Sequence, residues 1–351
     1  FPYTTLFRSF IVYKNIRQKH MLTRYDNNMN IVEDIPLNFV PERTFNIDFI
    51  TYRDFYYLIY QYQKNNIVYC KAMKMDLKGK QMDEPVQLDT TKISVLADNK
   101  IYSTTFSEDK QKILVYKRQL RDQNFTLVTK MYNASLELLD STRQNTRFND
   151  EKEIYSDIAV SNNGNYLFAK ETKRWARKDT ASELEIYLHK TGQAEPYRSY
   201  KLSLGKKLIE EIVIKTDNLN SNYVINAFYY GQRKGSIEGL FTSFIDMNGE
   251  RSVKAKFNVF TDSLRYAINS DDQAKYAFDN LIIRNTIMKK TGGFIIAAED
   301  FYTESLFNNA WNRQYYYNAL PYVNSYDYYL SNPYYYGYRP YISGRQESTR
   351  Y

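Results

Sequence analysis

The stretch SFIDMNGERSVKAKFNVF, residues 243–260, alternates loosely between apolar and polar residues on either side of Asp246 and Gly249. That alternation is the mark of a half-buried strand, and an Asp-x-x-Gly step between two such runs is a hairpin turn whose glycine supplies positive φ. The same punctuation recurs upstream. Taking the aspartate position as the marker, it stands at Asp26 in RYDNNMN, Asp76 in KMDLKGK, Asn133 in MYNASLE and His189 in YLHKTGQ. Each marker follows a large apolar or aromatic residue (Tyr25, Met75, Tyr132, Leu188 and Ile245), and the steps between markers are 50, 57, 56 and 57 residues.

A period of roughly 50 residues is what four short strands and their loops occupy, the length of one β-propeller blade. The expected fold is all-β, a β-propeller-like array of four-stranded antiparallel blades of about 50–57 residues, forming an incomplete ring; a large sandwich and a β-solenoid are the competing architectures. Composition agrees. The 351 residues include 36 Tyr and 20 Phe but only 12 Gly and 8 Pro, so strand-favouring aromatics are abundant and strand-breaking residues scarce.

From Phe10 the chain reads as successive strands. FIVYK, HMLTRY and NIVEDI look like the tail of a first blade. TFNIDFI, DFYYLIYQY, NIVYCKAMKM and QMDEPVQL make a second, and KIYSTTF, KILVYKRQL, FTLVTKMY and LELLD a third. In the fourth, Asn163 and Gly164 form a two-residue hairpin signal between DIAVS and NYLFAK. EIVIKTD, NYVINAFYYG, GLFTSFID and SVKAKFNVF make the fifth; TDSLRYAINSDDQAKYAF reads as a short helix or a loop, and NLIIRNTIMKKTGGFIIAAEDFYTE opens a sixth. The expected domains are therefore residues 1–9 as a non-native segment, 10–303 as the repeat body, and 304–351 as a Tyr/Asn-rich low-complexity loop or tail.

The formal charge of +8 favours anionic partners, but Lys and Arg are interleaved with 40 Asp and Glu, which is the pattern of a solvated, mildly basic surface. The single cysteine, Cys70, excludes an internal disulfide framework and reads as a buried thiol. No apolar run is long enough for a transmembrane helix, and the charges within the strands argue against a lipid-facing barrel. His20 and His189 lack any metal-ligand spacing and read as exposed turn residues in equivalent regions of two blades. The neighbours Glu210/Glu211 and Glu299/Asp300 would point to opposite faces of a strand, unlike the facing carboxylates of a glycosidase. No phosphate loop, nucleophile elbow or calcium loop is present, so the reading expects no cofactor and no metal.

Two stretches are candidates for binding. In KRWARK, residues 173–178, Arg174 and Arg177 flank Trp175 in the loop between two strands of the fourth blade, an arrangement that grips phosphate and stacks a base, or else is a solvated loop. In the C-terminal stretch, Trp311, the triplet Tyr315, Tyr316 and Tyr317, and the triplet Tyr334, Tyr335 and Tyr336 offer flat faces with hydroxyls, which suit sugar rings, peptides or other proteins.

Two resemblances add to this. Residues 1–9, FPYTTLFRS, resemble a translated sequencing adapter, which implies that the natural chain begins upstream of Phe10 and that any signal peptide is lost. Through the blade-length repeat, the Asn-Gly phrase in DIAVSNNGNYLFAKE and the Asn-, Lys- and Tyr-rich composition, residues 10–303 resemble propeller-like repeat proteins of Gram-negative bacterial envelopes. The resemblance implies a periplasmic, cell-surface or secreted location and carries no functional residue. The expected function is a non-catalytic binding or scaffolding module whose partner is a protein or a glycan rather than a small molecule. The alternatives are a propeller enzyme acting on polysaccharide or peptide bonds with catalytic residues elsewhere, and a nucleic-acid binder using KRWARK; the oligomeric state is left open.

Overall fold

In a computed structural model the described residues are 10–93, 100–121, 123–149, 152–173, 180–193, 197–231, 237–250, 253–261, 263–264 and 281–300. The chain divides at Thr104/Thr105 into two compact units.

In the first unit, β1 (Phe10–Ile16), β2 (Lys19–Tyr25) and β3 (Ile31–Pro36) form a three-stranded antiparallel sheet. β4 (Thr44–Thr51), β5 (Phe55–Lys64), β6 (Ile67–Asp76) and β7 (Val86–Lys92) form a four-stranded meander in chain order. One face of the first sheet, with Ile11, Tyr13, Leu22 and Ile35, packs on Tyr56, Leu58, Tyr60, Met73 and Met75 of the second. Cys70 is buried in β6. The fourth strand starts later than the QMDEPVQL run suggests. Pro85 has no N–H for the ladder, so only a bridge between Met75 and Gln81 forms ahead of Val86.

β8 (Tyr102–Phe106), within which the division falls, and β9 (Lys112–Arg121), β10 (Asn124–Asn133) and β11 (Leu138–Arg147) of the second unit repeat the same meander. β11 runs seven residues past LELLD, through the polar run STRQNTR. As the outermost strand of its sheet it needs no apolar face, which is why the pattern missed it.

The next two blades depart from the expected pair of separate sheets. β12 (Glu153–Tyr155), β13 (Ala159–Val160), β14 (Tyr166–Lys173), β15 (Ala181–His189) and β16 (Arg198–Ser203) are joined to β17 (Leu208–Ile209), β18 (Val213–Asp217), β19 (Asn222–Tyr230), β20 (Gly239–Asp246) and β21 (Lys254–Val259) in one ten-stranded antiparallel sheet. The bridge is the two-residue β17. Ile209 pairs with both Ala181 and Tyr229, so two blades share backbone hydrogen bonds at that point. β22 (Leu281–Met288) and β23 (Phe294–Asp300) form a further hairpin. The described chain is thus an all-β, propeller-like array of blade-length antiparallel sheets.

The recurrent marker is a structural repeat. It connects the third strand of a blade to the fourth: β6 to β7, β10 to β11, β15 to β16 and β20 to β21. At Asp26, Asp76 and Asn133 a side-chain oxygen accepts backbone N–H groups two and four residues on, at 2.8–2.9 Å. Asp246 accepts that of Glu250 at 2.9 Å. Three residues after each marker the backbone is left-handed, with φ of 62° at Met29, 85° at Gly79, 64° at Leu136, 81° at Gly192 and 65° at Gly249. This geometry is a type I turn followed by a bulge.

Tyrosine fills much of the core. Tyr60, Tyr155, Tyr166, Tyr223 and Tyr229 are wholly buried, where their rings bury large apolar area. Two of the hydroxyls bond across the core: that of Tyr223 to Asn165 O at 2.7 Å, and that of Tyr155 to Thr146 Oγ1 of the neighbouring sheet at 3.0 Å.

Opposite effects are expected at two equivalent turn positions. Met29→Gly, at an exposed left-handed residue, raises stability by about 1 kcal/mol. Gly249→Ala lowers it by at least about 1 kcal/mol, because the added Cβ would stand 2.7 Å from Tyr200 Oη at positive φ. Urea unfolding of each variant measures both.

Candidate functional site

In a meander of four strands, the first-to-second and third-to-fourth connections emerge at the same end. In the second unit both rows of turns are stitched together there. Along the first-to-second row, Asn162 Oδ1 accepts the N–H of Asp109 at 3.2 Å, the N–H of Asn162 donates to Asn218 Oδ1 at 2.9 Å, and Asn218 Nδ2 donates to Glu108 Oε2 at 2.8 Å. Turns from three successive blades are therefore tied side by side. Between rows, Thr191 Oγ1 donates to Gly164 O at 2.6 Å and Asn165 Nδ2 donates to Met247 O at 3.0 Å; along the third-to-fourth row, Arg198 Nη1 donates to Gly249 O at 3.0 Å.

Each turn is also fixed internally. Ser107 Oγ donates to Asp109 Oδ1 and Ser161 Oγ to Asn163 Oδ1, both at 2.5 Å. At the third turn Asp217 Oδ1 accepts the N–H and the Nδ2 of Asn220. Glu108, Asp109, Asn163, Asn220 and Leu219 are exposed on this face, and Asn162 and Asn218 are half-buried beneath it. The Asn163–Gly164 hairpin signal located one of these turns. Its partners at Ser107 and Asp217 carry no glycine, and only their blade-length spacing from Ser161 betrays them.

None of the binding residues read from the sequence is among those the structure describes. Arg174, Trp175 and Arg177 lie outside the described residues, as do Trp311, Tyr315, Tyr316, Tyr317, Tyr334, Tyr335 and Tyr336. The flanks of KRWARK are described: β14 ends at Lys173 and β15 begins at Ala181, so the loop joins two strands of the fourth blade.

The histidines are not exposed turn residues; both are buried, and they are not equivalent. His20 lies near the start of β2, where Nδ1 meets Tyr13 Oη at 2.6 Å and Nε2 meets Glu42 O at 3.1 Å. His189 ends β15 and occupies the marker position that carries Asp or Asn in the other blades. Its Nε2 lies 2.7 Å from Asp140 Oδ2 on β11, and its ring lies against Tyr166 and Tyr197. Around it the hydroxyls of Thr129, Thr142, Tyr166 and Tyr197 bond to one another at 2.6–3.2 Å. Burial pushes the Tyr166 phenol well above its ordinary range. A carboxylate holding an imidazole is the arrangement of a general base, but this ring is sealed inside the sheets. It acts as a clamp between the β8–β11 meander and the ten-stranded sheet.

Glu210 and Glu211 lie not on a strand but in the connection between β17 and β18. Glu210 accepts the Tyr230 hydroxyl at 2.6 Å, while Glu211 faces Glu171 of β14. Sequence reasoning missed Glu171, since its partner lies 40 residues away and nothing in the β14 run marks it. Burial pushes its carboxyl up to about 8 and the Glu211 charge adds to this; Lys173 and the Ile212 N–H oppose it. At the other acidic pair, Glu299 is bound by Arg284 across the β22–β23 hairpin. Among the described residues no group of three or more His, Cys, Asp or Glu gathers to hold a metal ion, and no helix is long and apolar enough to cross a membrane.

Fold and turn face together define a propeller-like repeat protein with a rigid, Asn-rich loop surface. No protein-family model and no curated protein matches the chain. Among solved structures it is similar to prolyl oligopeptidase B from Galerina marginata (11% identity over 82% of this chain and 36% of that one, TM-score 0.38). It is also similar to Synechocystis apocarotenoid oxygenase (8% identity, 71% of this chain and 58% of that one, TM-score 0.34) and to Kuenenia stuttgartiensis hydrazine synthase (11% identity, 70% and 78%, TM-score 0.29). The chain spans about a third of the length of the prolyl oligopeptidase. At these scores the activities of those enzymes do not transfer.

Two outcomes are expected from the buried groups. The raised Glu171 carboxyl contributes stability that is present in full below the ordinary glutamate range and is lost as pH rises through about 8. Glu171→Gln therefore removes a pH-dependent loss on the order of a few kcal/mol, and wild type and variant diverge between pH 5 and about 8 in urea titrations. His189→Asp, which restores the side-chain type of the other turns, sets a second carboxylate beside Asp140 and lowers stability by about 3 kcal/mol or more in the same assay.

Proposed function

We propose that this chain is a non-catalytic binding module of the bacterial periplasm or cell surface, presenting the turn face of its second unit to a glycan or protein partner. The observation that carries the reading is the hydrogen-bonded row Asp109–Asn162–Asn218–Glu108, which holds turns of three blades in one fixed arrangement. Recognition loops held rigid by their scaffold bind without a large ordering cost. Exposed carboxamides and carboxylates beside an apolar tip such as Leu219 are the groups that recognise hydroxyl-rich sugar rings and polar peptides.

The test is a glycan array followed by calorimetry with the full chain. The expected result is saturable binding of one glycan class, weakened about tenfold by Asn218→Ala, which unties the third turn from the other two, with the ligand recovered intact after prolonged incubation. Turnover of the ligand would make the protein an enzyme. Preferential, steeply salt-dependent retention of polynucleotide would make it a nucleic-acid binder.

A further inference from the structure

One acid is buried in the apolar seam between the fourth and fifth blades. On β14, Leu167 and Ala169 pack with Ile209, Ile212 and Tyr229 in one core cluster. Side chains alternate along a strand, so Glu171 is the next residue of that row, and it is only 7% accessible. Its cross-strand neighbours, Ile154 on β12 and Leu184 on β15, carry no charge. The groups that act on it come from two places. Lys173, itself buried, lies two residues further along β14, and the connection between β17 and β18 brings the Glu211 carboxylate and the Ile212 N–H, which donates to the Glu171 carboxyl. Glu210 of the same connection turns its carboxylate to the Tyr230 hydroxyl at 2.6 Å. A side chain of the fourth blade is thus bonded to the backbone that enters the fifth.

The backbone it touches is thinly held. β17 has two residues, and after it the Glu210 N–H donates to Phe228 O at 3.0 Å before Ile212 leads directly into β18 and the Asp217–Asn220 turn. A short connection of this kind can lift while the long strands on either side stay paired. What keeps it down is the charge state of Glu171. Burial first, and then the Glu211 charge, push that carboxyl up to about 8, against Lys173 and the Ile212 N–H. Once the proton leaves, a buried negative charge faces a second one, and lifting the connection off β14 is what lets water reach it.

We propose that Glu171 is a proton-operated latch between the fourth and fifth blades: protonated, it holds the β17–β18 connection against β14, and ionised, it lets that connection lift while both blades stay folded. Opening hydrates the carboxyl and returns it to the ordinary glutamate range, so the open form carries fewer protons than the closed one. The opening constant therefore rises with pH from that range, about 4, up to about 8, and is level above it. This release is local, and it precedes the unfolding of the unit as a whole.

Hydrogen exchange of the full chain from pH 5 to about 9, with each rate referred to the unstructured rate at its own pH, tests this. The amides of residues 208–213 are expected to be less protected than those of β9 and β10. Their protection falls about tenfold for each pH unit up to about 8 and then levels, and it depends little on dilute urea, because the opening exposes little surface. Glu171→Gln, which keeps an acceptor for the Ile212 N–H, abolishes the slope in this segment. Glu211→Gln removes the like charge and moves the levelling point to lower pH. Far-UV circular dichroism checks that both variants fold, and if Glu171→Gln does not, the wild-type slope and the Glu211→Gln shift decide. Protection of 208–213 equal to that of β9 and β10 at every pH would overturn the proposal, since the segment would then open only when the unit unfolds. A wild-type protection independent of pH, or a slope that survives Glu171→Gln, would overturn it as well.

Discussion

One hydrogen-bonded device sets the period of this protein. At the end of a blade's third strand, a side-chain oxygen of Asp or Asn accepts N–H groups two and four residues on, and the residue at the third step turns left-handed. The device satisfies donors that the hairpin would otherwise leave without a backbone partner. It also fixes the length of the connection, which matters more. Side chains on a strand alternate with period two, so a slip of one residue would turn every buried tyrosine toward solvent. A turn of set length with a committed side chain removes that freedom in each blade separately, and so the residues between the markers can vary widely in sequence.

The consequence for function runs through the second row of turns. Blades packed only through apolar faces would leave their loops to move independently. Here the side chains of Asn162, Asn165 and Asn218 bond to the backbone of neighbouring turns and Asn218 also reaches Glu108, so the loops at one end of the second unit share a network. Buried or half-buried amides bonded in this way stabilise a particular arrangement more than they add to overall stability. This is the physical basis for placing a recognition surface at this end. Of KRWARK only Lys173, the last residue of β14, is described, and the stretch contributes nothing to that argument.

Much of this was legible in the residues. The marker at Asp26, Asp76, Asn133, His189 and Asp246 located five third-to-fourth turns, and the apolar alternation found the long strands β5, β6, β9, β10, β19 and β20. What escaped had no local signal. β17 is two residues long, and its importance lies wholly in pairing with two blades at once. The polar half of β11 lies on an edge where no apolar face is required. Glu171 became visible only when folding brought Glu211 beside it. The two histidines were misjudged because a polar residue near a turn is most often solvated, whereas both found partners more distant in sequence than the turn itself: Glu42 for His20 and Asp140 for His189.

The departures from the repeat carry as much information as the repeat. At His189 the capping oxygen is given up, and the turn relies on Gly192 and on backbone bonding from Gln193 to Lys190. The side chain thereby released bonds Asp140 of the preceding sheet, amid hydroxyls contributed by both sheets. A local rule is broken where a long-range bond is formed, and the loss at one turn is offset by the joining of two sheets. The fourth and fifth blades are joined differently, through the backbone pairing of β17. A polar clamp demands specific partners, while a shared backbone demands only a strand. The side-chain join is therefore the one that substitution can loosen without unravelling either sheet, and it makes the His189 neighbourhood the adjustable seam of the second unit.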